Sequence, residues 1–157
     1  ALRAGALAVA TAPPDRQTLR ETIAAVRPRV LVLLPPGDSP APDAHAFVQQ
    51  VAGMLQVALR QHAGRIDTVR MAARVAARPA AIVAALRLLE AEGVITLAYA
   101  ADGSLLARPA QGGNGAEPAR RLEARRVLEA LLAETAAFRR AYRTEPPAAL
   151  LAAPPDG

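Results

Sequence analysis

The most specific structural pattern in this chain is IDTVRMAARVAARPAAIVAALRLLEAEGVI, from Ile66 to Ile95. Asp67 stands where a helix N-cap is expected, directly before the short helical segment TVRMAARVA. A tight turn follows at residues 77–79, and Pro79 is well placed to start the next helix. The pattern predicts two short helices joined by a turn, the second running from Ala80 to Glu92.

A β-hairpin completes this pattern. Val94–Tyr99 (VITLAY) and Leu105–Arg108 are predicted strands, and ADGS at residues 101–104 is typical of the turn between them. Helix, turn, helix and hairpin is the order of a winged helix-turn-helix. Helical spacing divides the second helix into a buried face (Ile82, Val83, Leu86, Leu89) and an exposed face (Ala80, Ala81, Ala84, Arg87, Ala91).

The first forty residues predict a βαβ unit. Ala6–Ala12 is predicted to be a short buried strand, and Val30–Leu34 (VLVLL) a second strand. Asp15 is placed to cap a helix over Arg16–Val26 between them. Short connections on both sides of that helix favour parallel pairing of the strands. No glycine-rich turn follows the first strand, so we expect no phosphate-cradling nucleotide site there.

Two stretches of linker composition divide the chain, GDSPAP at residues 37–42 and QGGNG at residues 111–115. Asp43 is placed to cap a connecting helix over Ala44–Ala63. We therefore assign residues 1–40 to a βαβ subdomain, residues 41–110 to the connecting helix plus winged helix-turn-helix, and residues 111–157 to a linker, a basic C-terminal helix and a frayed tail. The predicted fold class is α+β, with the βαβ unit packed with the winged helix-turn-helix and the C-terminal helix.

Composition and charge limit the classes of partner that this chain can be expected to bind. Of the 157 residues 52% are hydrophobic, but alanine dominates this fraction and only 3% are aromatic. The chain has 19 basic residues, all of them arginine, against 14 acidic residues, for a net charge of +5. This balance favours anionic partners, either nucleic acid or acidic peptides. A GC-rich genome is the alternative cause of the abundant alanine and arginine.

No catalytic or metal-binding pattern is present in the sequence. His45 and His62, the two histidines, lie on one predicted helix too far apart to share a metal ion, and the chain has no cysteine. We therefore expect no cofactor in this chain. No apolar run reaches the roughly 20 residues of a membrane span, so we expect no membrane partner. The absence of cysteine fits a cytoplasmic protein. The chain begins with Ala1 rather than Met, and we expect it to be part of a longer protein.

Two groups of arginines are candidates for binding an anionic partner. Near the predicted turn between the two short helices lie Arg70, Arg74 and Arg78. On the expected exposed face of the second helix, Arg87 is the one residue with several side-chain hydrogen-bond donors. A single such residue disfavours sequence-specific recognition of DNA by this helix.

The second group lies in the last helix, where FRRAYR at residues 138–143 alternates aromatic and basic residues. Either the two rings dock the helix and the arginines are solvated, or the cluster forms a basic rim around an apolar pocket. The candidate residues for binding a peptide or DNA are Arg70, Arg74, Arg78, Arg87, Arg139, Arg140, Tyr142 and Arg143.

Three stretches of the chain resemble the C-terminal accessory domain of bacterial RecJ. They are PPDRQTLRETI (Pro13–Ile23), the long stretch Ile66–Ile95, and ETAAFRRAYR (Glu134–Arg143). RecJ proteins are single-strand-specific exonucleases that degrade DNA from the five-prime end in recombination and repair. The composition, rich in alanine and arginine, is similar to that of proteins from GC-rich bacteria of the Deinococcus kind.

The resemblance implies a division of labour within the longer protein. In RecJ the catalytic core binds manganese or magnesium through Asp/His motifs that this chain lacks, so it implies no catalytic residue here. It implies recruitment instead, through docking of the acidic, Phe-ended tail of single-stranded-DNA-binding protein. The partners expected on this basis are that tail, the catalytic core of the parent exonuclease and single-stranded DNA.

Two other functions are open on the sequence alone. The chain is alternatively a nucleic-acid-binding winged-helix domain of a regulator or a helicase, which would require arginines along the hairpin and second helix. Arg87 and Arg108 are nearly all that the sequence offers there. A purely structural clamp on the parent core is the third alternative, and it predicts no free partner.

Overall fold

The computed structural model describes residues 5–34, 43–111 and 118–152. Helices hold most of the described residues, and the strands form two small sheets, so the chain is of mixed α+β class. The elements in chain order are β1 (Ala6–Val9), α1 (Arg16–Val26), β2 (Val30–Leu33), α2 (Ala44–Gln61), β3 (Arg65–Ile66), α3 (Thr68–Arg74), α4 (Pro79–Ala91), β4 (Ile95–Tyr99), β5 (Leu105–Pro109), α5 (Pro118–Thr144) and α6 (Pro147–Leu151).

The chain divides into two compact units. Unit 1 comprises residues 1–40 and 134–157, and unit 2 comprises residues 41–133. The division therefore falls within α5, whose first part belongs to unit 2 and whose last part belongs to unit 1. Residues 37–42, 112–115 and 153–157 of the predicted linkers and tail lie outside the described residues.

Unit 1 contains the predicted βαβ arrangement. β1 and β2 pair in parallel, with Ala6 opposite Val30, and Asp15 caps α1 by accepting a hydrogen bond from the Thr18 N–H at 2.7 Å. The prediction of a buried strand over Ala6–Ala12 is wrong in extent and in burial. The strand ends at Val9, and Ala6 is exposed because the described residues cover only one face of this sheet.

The core of unit 1 draws on both ends of the chain. Its buried residues are Ala12, Leu19, Tyr142 and Leu150. Leu150 lies on α6, a short helix that is not apparent from the sequence because two consecutive prolines are also typical of the end of a helix. Proline also fits the first turn of a helix, and Pro147 begins α6.

Unit 2 is built around α4, which is buried on most sides. Residues of α2, α3, β4 and the first part of α5 pack with α4 in one apolar core that includes Phe47, Leu86 and Leu128. The prediction that Ala81 and Ala84 are exposed is wrong, since both are buried. A helix that is apolar on nearly every side is covered on nearly every side, and alanines at these positions let the neighbouring elements approach closely.

The helices and the hairpin predicted from Ile66 onward are confirmed, with ends that differ by one or two residues. Asp67 caps α3 by accepting from the Arg70 N–H at 2.9 Å, and Pro79 is the first residue of α4. β4 and β5 form the predicted antiparallel hairpin. β3, which was not predicted because it has only two residues, adds to the other edge of β5.

Candidate functional site

The candidate arginines of unit 2 lie at three places. Arg70 and Arg74 are exposed on α3, one helical turn apart. Arg78 is half-buried at the N-cap of α4. Arg87 is exposed in the middle of α4. The structure therefore brings Arg70 and Arg74 to one surface and places Arg87 elsewhere in the unit.

The candidates near the end of α5 belong to unit 1, where the aromatic residues have a packing role. Tyr142 is 5% exposed, and its hydroxyl donates to the Val9 carbonyl at 3.3 Å. Its ring centroid lies 6.3 Å from that of Phe138. Arg140 and Arg143 are exposed, and burial lowers the pKa of the half-buried Arg139 because a charged guanidinium loses hydration there.

A groove of about 720 Å³ lies between the second half of α2 and α3, and we name it the α2–α3 groove. Met54, Val57, Ala58, Ile66 and Met71 provide its apolar lining, and of these Ile66 and Met71 also belong to the buried core of unit 2. Val57 is 43% exposed although it is a large apolar residue. Methionine side chains are flexible and adapt to the shape of a bound group, so this lining suits an inserted apolar side chain.

The α2–α3 groove also has an excess of positive charge. Arg65, Arg70 and Arg74 line it, against the carboxylate of Asp67 in the lining and that of Asp102, which pairs with Arg65. One oxygen of the Asp67 carboxylate already accepts the Arg70 N–H as the cap of α3. An apolar surface bordered by guanidinium groups favours a ligand that carries both an apolar side chain and carboxylates.

The turn between β4 and β5 meets the α2–α3 groove at Arg65. The Arg65 Nη1 donates to the Asp102 Oδ2 at 2.8 Å and to the Ser104 Oγ at 3.2 Å. The Ser104 hydroxyl and backbone N–H both donate to the Asp102 Oδ1, at 2.6 and 3.0 Å. These bonds hold the pKa of Asp102 far below its ordinary value. The bond from the Ser104 hydroxyl has the largest effect on this pKa, and the bond from Arg65 has the second largest.

A second groove, of about 470 Å³, lies between α4, the β4–β5 hairpin and the first part of α5. Arg87 and Arg120 line it, and Glu90 and Glu123 balance their charge. The Glu90 carboxylate accepts the backbone N–H of Leu97 at 2.8 Å and so joins α4 to β4. Because its charges cancel, this second groove has no preference for an anionic ligand.

Sequence reasoning found part of the α2–α3 groove. It singled out Arg70 and Arg74 but did not connect Met54 with Met71, since nothing in the spacing of the two residues shows that α2 lies beside α3. It also missed Arg65 and Asp102, which are 37 residues apart and meet only because β3 pairs with β5.

Comparisons with known proteins give no relative for this chain: no protein-family model, no curated protein and no solved structure matches it. Among the described residues, no group of three or more His, Cys, Asp or Glu side chains is placed to hold a metal ion. No helix in the same residues is both long and apolar enough to cross a membrane.

Proposed function

We propose that this chain is a non-catalytic interaction domain of a RecJ-like five-prime-to-three-prime single-stranded-DNA exonuclease. Its role is to recruit the enzyme by capturing an acidic peptide with an apolar end, namely the C-terminal tail of single-stranded-DNA-binding protein. The observation that carries the proposal is the α2–α3 groove, in which two methionines lie beside Arg70 and Arg74.

The capture would rest on two different interactions. The terminal apolar side chain of the peptide packs against Met54 and Met71 and loses its contact with water. The peptide carboxylates pair with Arg70 and Arg74, which lie on the same face of α3 at an i, i+4 spacing. Apolar burial supplies most of the affinity, whereas the exposed ion pairs speed association and make binding sensitive to salt.

We further propose that the segment from β3 to β5 is a winged helix-turn-helix, used here for protein docking and not for reading DNA. The order β3, α3, α4, β4, β5 and the antiparallel sheet β3–β5–β4 support this topology. In DNA-binding forms of that motif the second helix enters the major groove. In this chain the second helix is α4, where Arg87 is the one exposed residue with hydrogen-bond donors on its side chain.

The burial of α4 argues against the alternative of a nucleic-acid-binding regulator or helicase domain. The α4 residues Ala84, Arg87 and Ala91 line a groove whose opposite wall is α5. A DNA duplex that contacted these positions of α4 would have to displace that wall. The α2–α3 groove needs no such change, since Arg70 and Arg74 are exposed as the structure stands.

The proposal is tested by fluorescence anisotropy of the whole chain with two labelled probes, at low and moderate salt. One probe is an acidic peptide ending in Phe with the tail sequence, and the other is a single-stranded oligonucleotide. We expect saturable binding of the peptide that is lost when the terminal Phe is removed. Binding of the oligonucleotide alone, with a steep dependence on salt, would support the nucleic-acid alternative.

A charge-matched pair of variants locates the site. Arg70→Ala/Arg74→Ala should weaken peptide binding by roughly two- to thirtyfold, the loss of two exposed ion pairs. Arg121→Ala/Arg125→Ala removes the same charge at the same i, i+4 spacing from exposed positions of α5 and should change the affinity much less. If Arg139→Ala/Arg140→Ala weakens binding and Arg70→Ala/Arg74→Ala does not, the site is the basic cluster of unit 1.

A further inference from the structure

We infer that Asp102 acts as an internal competitor for the ligand of the α2–α3 groove, by occupying Arg65 until a carboxylate of the partner replaces it. The inference rests on the proposed function and concerns the specificity of the same groove. Arg70 and Arg74 attract an acidic partner from the start, whereas the Arg65 Nη1 is available only to a carboxylate that exchanges with Asp102.

The geometry supports an exchange of this kind. Arg65 lines the groove and donates to Asp102 at 2.8 Å, yet 59% of the Arg65 side chain and 55% of the Asp102 side chain are exposed to solvent. An ion pair that is exposed to this degree contributes little to stability and can be exchanged at low cost. The backbone of Arg65, by contrast, is fixed opposite Leu106 of β5, so the side chain stays anchored beside the groove when Asp102 leaves it.

The consequence is a filter on the charge of the partner. A ligand with few carboxylates pairs with Arg70 and Arg74 and leaves Arg65 with Asp102. A ligand with a further carboxylate at the β3 end of the groove can pair with Arg65 only by breaking the pair of Arg65 with Asp102. Its binding free energy therefore improves only by the difference between these two similar ion pairs. Removing the charge of Asp102 therefore makes the full attraction of Arg65 available and strengthens binding of every acidic ligand that reaches this end.

Asp102→Asn is the suitable variant because it removes the charge and conserves the turn. The Asn side-chain oxygen replaces Oδ1 as acceptor for the Ser104 N–H and hydroxyl, and asparagine is favoured in such turns. Asp102→Ser, which also supports a turn without charge, is a second variant with the same expected effect.

The experiment is a double-mutant cycle on the whole chain, with peptide affinity measured for the unaltered chain, Asp102→Asn, Arg65→Gln and the double variant. We expect Asp102→Asn to bind the acidic peptide about two- to fivefold more tightly, the range that one exposed ion pair allows. The gain should vanish in the Arg65→Gln background. Glu129→Gln, an exposed change of the same charge on α5, should leave the affinity within error and so excludes a general effect of net charge.

The outcomes separate this inference from the proposed function. If the unaltered chain binds the peptide and Asp102→Asn binds no more tightly, or if the gain persists without Arg65, the competition is contradicted and peptide capture stands. If neither chain binds the peptide, both the proposed function and the competition are wrong.

Discussion

Gly64 and Ala107 meet backbone against backbone where α2 turns into β3. The Ala107 N–H donates to the Gly64 carbonyl at 2.9 Å, and Gly64 has a φ of +79°. A Cβ built on Gly64 would collide with the carbonyl oxygen of Ala107. This close approach of the α2–β3 turn to β5 sets the position of two sides of the α2–α3 groove, since α2 and β3 both contribute to its lining.

Gly64→Ala should therefore destabilise the chain by about 2 kcal/mol or more. The left-handed backbone alone costs an alanine roughly 1–2 kcal/mol, and the collision with Ala107 adds to this cost because backbone atoms cannot move aside as a flexible side chain can. The measurement is urea unfolding followed by circular dichroism.

Gly53→Ala is the control for this change. Gly53 lies within α2, and a Cβ there would meet no atom within 4 Å. Alanine at this position should stabilise the helix by up to about 1 kcal/mol. Equal changes in the free energy of unfolding at the two glycines would show that Gly64 does not lie as close to Ala107 as described.

Leu86→Ala should destabilise unit 2 by about 2–5 kcal/mol, because it leaves a cavity in the core around α4. Leu86 is 0% exposed. Val69→Ala, at a position that is 68% exposed, should change the free energy of unfolding by no more than about 0.5 kcal/mol. Both are measured by urea unfolding, and a small effect at Leu86 would contradict the burial of α4.

Tyr142→Phe should destabilise unit 1 by about 0.5–1.5 kcal/mol near neutral pH, through loss of the hydrogen bond to Val9. The cost should lie toward the low end, since the Val9 carbonyl keeps the Leu34 N–H as a partner at 3.0 Å. A loss well above this range would mean that the Tyr142 hydroxyl has a role beyond that one bond. Urea unfolding of the two chains measures the difference.

The same residue predicts a dependence of stability on pH. Burial raises the pKa of Tyr142 above its ordinary value of 10.0, because the phenolate would lose hydration in the folded chain. The unfolded chain thus releases this proton at lower pH than the folded chain does. The contribution of Tyr142 is complete below pH 10 or so and is lost as the pH rises through the higher pKa of the folded state. Unfolding between pH 8 and 11 should show a steeper fall for the unaltered chain than for Tyr142→Phe.

The affinity for the acidic peptide should fall as salt is raised, through slower association more than through faster dissociation. Stopped-flow mixing of the labelled peptide with the chain at several salt concentrations separates the two rates. An association rate that does not change with salt would show that Arg70 and Arg74 do not attract the peptide.

Local features of this fold were predictable from the sequence because they depend on neighbouring residues. Asp15, Asp43 and Asp67 each accept a hydrogen bond from a backbone N–H three residues later, as expected of helix N-caps. Pro79 likewise indicates the start of α4, and the ADGS turn indicates the β4–β5 hairpin, because both preferences depend on only a few neighbouring residues. Periodicity also identified the buried residues Ile82, Leu86 and Leu89 of α4.

Features that depend on distant contacts were not predictable. Ala81 and Ala84 are buried because other elements cover α4, and the helix sequence does not show how many do. β3 is too short to have a pattern, and Leu150 is buried by residues more than a hundred positions away in sequence, such as Leu19. The α2–α3 groove has the same origin, since its two methionines lie on different helices.

The two methionines also permit the most direct test of peptide capture in this groove. Met54 and Met71 are the only methionines of the 157 residues, and both line the α2–α3 groove. A chain labelled with ¹³C at the methionine methyl groups gives two signals, each of which reports on the groove. On addition of the acidic, Phe-ended peptide we predict that both signals shift and saturate together, and that a peptide without the Phe shifts them far less. Saturable peptide binding that leaves both methyl signals unmoved would contradict the assignment of the groove as the binding site.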